Sequence, residues 1–329
     1  MHERNCLVVS DSFTFLRVKR IVIALFCVAA CGGGDGGGGG AIPIDELGAR
    51  VTDALCEYEV RCGWAPDKAG CDEGIFFQQQ LVADVKAGKV SYDGKAAAAC
   101  LDVYRSLGCK VSDAGFASVT RAQSCRNAIK GTVAPGGACL NNDECQSQAC
   151  NKAACTATTQ CCAGTCAAKI AAGGDCSPSG SKCADDLFCK RESTASTAIC
   201  AAFIADGQPC TRNDECVAGR WCNVVAGTSA GTCGVPPARG QACPNVACDS
   251  SADLCDPTSK TCVARIAVGG DCTAIPTGCV VYANCDATTK KCVARKRGGE
   301  ACVQTSDCLG GVDCTGGVCV PPPDEPACM

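Results

Sequence analysis

Thirty-seven cysteines in 329 residues give this chain most of its chemical potential. Free thiolates bind metals, carry redox equivalents or act as nucleophiles, whereas paired cysteines are cross-links. Spacing separates these roles. Zinc sites and thioredoxin-like redox sites place two cysteines as C-x-x-C, and that spacing occurs nowhere in the chain. The one histidine is His2, so the sequence beyond it holds no Ser-His-Asp or Cys-His set. Asp185-Asp186 and Asp143-Glu144 are adjacent acids that could exchange protons, but a solvated turn is the simpler account of each. The N-D-E-C segments (Asn142 to Cys145, Asn213 to Cys216) carry oxygen ligands for calcium without the D-x-[DN]-x-[DN]-G spacing of a binding loop. The run GGGDGGGGG (32–40) follows no strand and is not read as a phosphate cradle. The expectation is a non-enzymatic protein without metal or cofactor.

The elements that place these cysteines begin with a targeting segment. Arg17, Lys19 and Arg20 precede the apolar run from Ile21 to Ala30, which at ten residues is too short for a membrane-spanning helix. A basic flank, a short apolar core and small residues at the end are the order of a secretory signal, here 1–30. Val28-Ala29-Ala30-Cys31 resembles the lipobox of bacterial lipoproteins, and the resemblance implies cleavage before Cys31 and acylation of its thiol. Gly32 at the next position, in place of Asp, implies delivery to the outer membrane. Residues 31–41 then read as a lipidated cysteine with a glycine-rich tether. Glu3 and Asp11 fit the front of a signal poorly. A start at Val18 through a GTG codon would give the compact signal M-K-R-I-V-I-A-L-F-C-V-A-A-C.

Cleavage removes Cys6 and Cys27, and lipid takes Cys31, leaving 34 cysteines in a mature chain of 299 residues. That is above the level of roughly 8–10% that marks a disulfide scaffold, and an exported chain reaches an oxidising compartment. The mature chain carries 26 basic and 32 acidic residues, a net charge of −6, which argues against nucleic acid as a partner.

From 42 to 133 the apolar pattern is helical. Ile44, Leu47, Val51, Leu55, Tyr58 and Cys62 step by three or four residues. Further helices are expected from Asp72 to Gly88, over KAAAACLDVYRSL up to Gly108, and from Ser112-Asp113 to Ile129. Six cysteines, Cys56, Cys62, Cys71, Cys100, Cys109 and Cys125, predict three disulfides with 15 possible connectivities. Trp64, Phe76 and Phe77 are read as core in preference to a ligand pocket.

Beyond 133 the period changes. Six segments open with glycine three residues before a cysteine: GGAC (136–139), GGDC (173–176), GQPC (207–210), GQAC (240–243), GGDC (269–272) and GEAC (299–302). The opening cysteines lie 37, 34, 33, 29 and 30 residues apart, the signature of tandem small modules over 134–320. The joints Cys166–Cys176, Cys200–Cys210, Cys233–Cys243, Cys262–Cys272 and Cys292–Cys302 all span ten residues. A fixed joint is expected to be a glycine turn that docks each module on the next and stiffens the array into a rod. Modules near 30 residues with few aromatics must rely on cross-links. Structural disulfides are expected among Cys139, Cys145, Cys150 and Cys166; Cys176, Cys183, Cys189 and Cys200; Cys210, Cys216, Cys222 and Cys233; Cys243, Cys248, Cys255 and Cys262; Cys272, Cys279, Cys285 and Cys292; and Cys302, Cys308, Cys314 and Cys319. CDPTSKTC (255–262) and CDATTKKC (285–292) predict short hairpins clipped by cysteines. The fold class is small disulfide-rich: an α-helical, disulfide-stabilised domain followed by short β-hairpin modules.

The opening segment GGACLNNDECQSQACNKAACTATTQCCAGTC, with N-D-E-C and the vicinal Cys161-Cys162, resembles Dickkopf N-terminal or EB-type cysteine-rich modules. GQPCTRNDEC (207–216) repeats part of that pattern. The layout as a whole resembles cysteine-rich lipoproteins of myxobacteria.

Two roles compete. One is a lipid-anchored envelope protein, held to the membrane by Cys31, whose array spaces or binds an unidentified protein or envelope ligand. The other is an inhibitor acting through an exposed loop, the candidates being the stretches between Cys189 and Cys200 and between Cys222 and Cys233. The first segment holds seven cysteines, counting Cys155, Cys161 and Cys162, and the last holds five with Cys328 in the proline-rich tail 321–329. If a rod keeps its ends apart, these odd counts predict a disulfide-linked dimer through Cys328.

Overall fold

The computed structural model describes residues 40–72, 79–110, 122–152, 162–178, 181–191, 197–224, 228, 230–243 and 247–321. Helix α1 (Ile44–Arg61) starts after Pro43, whose ring presets the entry angle. Asp45 and Glu46 lie at its positive end and Arg61 at its negative end. Gly63, at φ +73°, takes the left-handed turn that ends it, and its amide donates to the Val60 carbonyl. The chain continues through α2 (Lys68–Asp72), α3 (Gln79–Lys86), strand β1 (Val90–Tyr92), α4 (Gly94–Ser106), α5 (Gln123–Ala128) and strand β2 (Ile129–Gly131). The Asp93 carboxylate caps α4 by accepting from the Lys95 and Ala96 amides.

This body is helical only in part. β1 pairs antiparallel with β2, Val90 facing Gly131 and Tyr92 facing Ile129, so Ile129 belongs to a strand rather than to the end of the expected fourth helix. Leu47, Leu81, Val82, Val90, Ala97 and Ala128 close the core. The stripe on α1 points inward, with Leu47 and Cys62 buried and Ile44, Val51, Leu55 and Tyr58 half-buried. Trp64 is half-buried in the turn after α1. Phe76 and Phe77 lie outside the described residues.

Each of the six modules is built around a short antiparallel hairpin. The first and third contain three strands: β3 (Ala138–Cys139), β4 (Cys150–Lys152) and β5 (Gly164–Cys166), then β8 (Pro209–Cys210), β9 (Trp221–Val224) and β10 (Gly231–Gly234). The others contain two: β6 (Leu187–Arg191) and β7 (Ala198–Ala202), β11 (Asp253–Cys255) and β12 (Cys262–Ala264), β13 (Ala283–Cys285) and β14 (Cys292–Ala294), and β15 (Asp313–Thr315) and β16 (Val318–Val320). In every hairpin the third and last cysteines of the module face one another in register, as Cys285 faces Cys292.

The joints explain their own constant length. The glycine three residues before each opening cysteine has positive φ, as at Gly269 (+84°), and its amide donates to the carbonyl of the last cysteine of its own module, Gly269 to Cys292 at 2.7 Å. The residue six before the opening cysteine forms a parallel bridge to the second cysteine: Val133 to Cys145, Ile170 to Cys183, Ile204 to Cys216, Ile266 to Cys279 and Lys296 to Cys308. Pro237 holds this place in the fourth module and can only accept, from the Asp249 amide. The joint is thus sewn into the module it precedes, which corrects the expectation of a turn that docks one module on another. No slack is left behind it. The Arg265 amide donates to Ala252 in the fourth module, and the next amide, Ile266, donates to Gly278 in the fifth.

The array is also not a free rod. Its first module sits against the body, Lys89 pairing with Glu144 at 2.9 Å. The fourth returns to the body, where Ser250 bridges Lys110 and the Ser251 hydroxyl donates to the Cys62 carbonyl at 2.6 Å. The sixth touches it through Leu309, packed near Gly70, while Arg297 in the joint leading to it pairs with Asp67. These contacts bring both ends of the array to one body. Cys328, on which the expected dimer rests, lies outside the described residues.

Candidate functional site

The sulfur atoms form the centre of every module. The first cysteine bonds the third and the second bonds the last: Cys139–Cys150 and Cys145–Cys166, Cys176–Cys189 and Cys183–Cys200, Cys210–Cys222 and Cys216–Cys233, Cys243–Cys255 and Cys248–Cys262, Cys272–Cys285 and Cys279–Cys292, Cys302–Cys314 and Cys308–Cys319. The hairpins are therefore not clipped across their own strands. Facing cysteines such as Cys255 and Cys262 each bond back to the N-terminal limb of the module, which locks that limb over the hairpin. In the body the pairs are Cys56–Cys71, Cys62–Cys109 and Cys100–Cys125. Each bond closes a loop of 11 to 47 residues, and a loop of ~15 residues is worth on the order of 3 kcal/mol in chain entropy.

In the fifth module Cys272, Cys279 and Cys292 bring their sulfurs within 4.8 Å of one another, and the same crowding recurs along the array. These sulfurs are all bonded, so they present no thiolate to a metal or a substrate. Cys162 is also disulfide-bonded. Cys31, Cys155, Cys161 and Cys328 lie outside the described residues, as does the stretch 1–30.

The N-D-E-C segments turn out to be internal braces. Glu215 folds back so that its carboxylate accepts from the Thr211 amide (2.8 Å), the Arg212 amide (3.2 Å) and the Thr211 hydroxyl (2.9 Å). Burial works to raise its pKa, but these donors and the Arg212 charge outweigh it and leave Glu215 below the ordinary carboxylate value. Asn213 reaches the other way and accepts from the Cys222 amide. Asn142 and Glu144 repeat both contacts, to the Cys150 and Leu140 amides. Thr305 and Asp307 do the same in the sixth module, which has no N-D-E-C. Asn142, Glu144, Asn213 and Glu215 thus turn side-chain oxygens to backbone amides, while Asp214 takes the Arg212 guanidinium. The two G-G-D-C openings use a different brace, Asp175 accepting from the Ser177 amide and Asp271 from the Thr273 amide.

The acidic pairs divide. Asp185 is exposed and paired with Lys169 at 2.7 Å, and Asp186 adopts a left-handed turn conformation, which agrees with a solvated turn. Glu144 does not: it is 0% exposed. It lies at the seam between body and array, beside Asp84 of α3, itself only 2% exposed. The Gln80 amide donates to Asp84 Oδ1 at 2.7 Å and the Asn141 amide to Oδ2 at 2.6 Å. Sequence reading missed Asp84 because nothing in α3 marks one acid as buried; only the docking of the first module covers it.

A second polar feature is a cleft of about 350 Å³ lined by Lys110, Ala238, Arg239, Asp249, Ser250 and Asp253, where the fourth module meets the body. Arg239 occupies Asp253 with two hydrogen bonds, and the Ser250 hydroxyl accepts from the Ala252 amide. Comparison with protein-family models, with curated proteins and with solved structures returns no match. Fifteen disulfides among the described residues mark an extracellular or envelope-type cysteine-rich protein. No helix among these residues is long and apolar enough to cross a membrane.

Proposed function

We propose that this chain is a non-enzymatic lipoprotein of a bacterial envelope, anchored through Cys31 to the outer membrane, and that its body and array form one cross-linked platform for binding a protein or envelope ligand. The observation that carries the reading is the repeated sulfur core. Six modules repeat the same pair of bonds, and Asn142, Glu144, Asn213 and Glu215 brace backbone amides. What is built is a rigid surface rather than a reaction centre. The return of the fourth and sixth modules to the body favours a compact platform over an extended spacer. The glycine tether, 32–40, would let that platform move relative to the lipid.

Anchoring and binding are tested together. Labelled fatty acid should enter the wild-type protein, which should partition into detergent phase. Cys31→Ser should abolish labelling and release the protein to soluble fractions; retention in the membrane would overturn the anchor. The released protein, cross-linked to intact envelope and recovered under denaturing conditions, should capture a reproducible partner that is lost after reduction of its disulfides. A profile identical before and after reduction would overturn the platform.

A further inference from the structure

The buried acids at the seam raise a charge question. Asp84 and Glu144 belong to different units, α3 of the body and the brace of the first module, and their carboxyl groups are within hydrogen-bonding contact. The groups around them are few. On the body side, Gln80 and Asn141 from across the seam donate to Asp84, while Lys89, which precedes β1, donates to Glu144 Oε1. On the module side, the Leu140 amide donates to Glu144 Oε2 at 2.7 Å. Asp143 projects from the outside of the same turn, and Lys86 is taken by Asp45 on the body surface. Two carboxylates would therefore share one ammonium group, leaving a net negative charge out of water, which is costly.

We propose that Asp84 keeps its proton beside the Glu144 carboxylate, which Lys89 pairs, and that the seating of the first module on the body is thereby proton-linked. A carboxyl group meeting a carboxylate makes a hydrogen bond; two carboxylates at the same place repel. Burial, opposed by the Asn141 and Gln80 donors and reinforced by the Glu144 charge, raises Asp84 above its ordinary value of 3.8. The sign follows from the raised value. The proton's contribution to seating is fully present below 3.8 and is lost as pH rises through the higher value held in the folded state. The seam is thus tighter in acid and looser in alkali, opposite to what a simple Lys89–Glu144 ion pair would give over the acid range.

The test uses the disulfide-intact full chain. Carboxyl carbon resonances of Asp84 and Glu144 are followed by NMR from pH 3 to pH 9, together with exchange protection of the Thr132 and Val133 amides, which close the seam by donating to Lys89 and Glu144. The Asp84 signal should move in a step above its ordinary 3.8, and protection, corrected for intrinsic rates, should fall severalfold across that step. Asp84→Asn, which keeps the shape but removes the charge, should hold protection constant. Independent titration of Asp84 near 3.8, or an unchanged fall in the Asp84→Asn protein, would overturn the proposal. If that variant does not fold, the wild-type titration alone decides.

Discussion

At the scale of single residues, the chain uses acids chiefly to hold backbone amides. Asp256 and Asp286 illustrate this at hairpin tips. Asp256 accepts from the Thr258 amide and the Ser259 hydroxyl, and Asp286 from the Thr288 and Thr289 amides. These contacts preset turns that would otherwise cost conformational entropy. Glu215 carries a measurable consequence. Its pKa is lowered from the ordinary 4.5, so its stabilising contribution is present above 4.5 and lost as pH falls through the lower folded value. Protection of the Thr211 and Arg212 amides, corrected for intrinsic rates, should fall as pH drops below 4.5 while the disulfides stay intact. Glu215→Gln should weaken both amides at neutral pH, at a cost of about 1–2 kcal/mol within the third module. Constant protection in either experiment would show that the brace contributes nothing.

At the scale of elements, the module is a hairpin locked beneath its own N-terminal limb. Neither strand pair nor limb would persist alone, because two short strands without a core are marginal in water. The bonds Cys272–Cys285 and Cys279–Cys292 tie both to one centre, and Ala283 is the buried residue that accompanies those sulfurs, with Cys285 half-buried beside them. The joint adds hydrogen bonds on both sides without a spare residue. Inserting one glycine between Arg265 and Ile266 should therefore break either the Arg265 bond to Ala252 or the Ile266 bond to Gly278. Exchange at one of these amides should rise at least tenfold, a loss of about 1.4 kcal/mol. An insertion that leaves both amides protected would show that the constant ten-residue joint has another cause.

At the scale of the whole molecule, the array curves onto the body instead of leaving it. Polar contacts that hold it are Ser251 to the Cys62 carbonyl, Arg297 to Asp67, and Lys89 to the buried Glu144, and Leu309 adds an apolar one near Gly70. Exposed ion pairs are worth roughly 0–1 kcal/mol each, so the closed arrangement rests on several contacts and on the stiffness of the joints between them. Small-angle scattering from the mature chain carrying Cys31→Ser should give a radius of gyration near 19 Å, the compact scaling value for about 300 residues. A value above about 30 Å would mean that the modules extend away from the body in solution.

The amino-acid sequence by itself determined that cross-links carry this protein. Cysteine content, the absence of C-x-x-C and the poverty of aromatics after 133 leave a module no other means of folding. It also determined where the modules begin and that hairpins such as 255–262 form, because turn residues and spacing are local signals. Connectivity was decided by tertiary structure. Facing cysteines in a hairpin look like natural partners in the sequence, yet Cys255 and Cys262 bond instead to Cys243 and Cys248, since the limb that covers them arrives from a joint. Tertiary structure likewise buried Asp84 and Glu144 and turned an apparent rod into an arc. Burial and curvature arise from surfaces distant in the chain, Ser251 meeting Cys62 across 189 residues, and no local pattern of residue types records such a meeting.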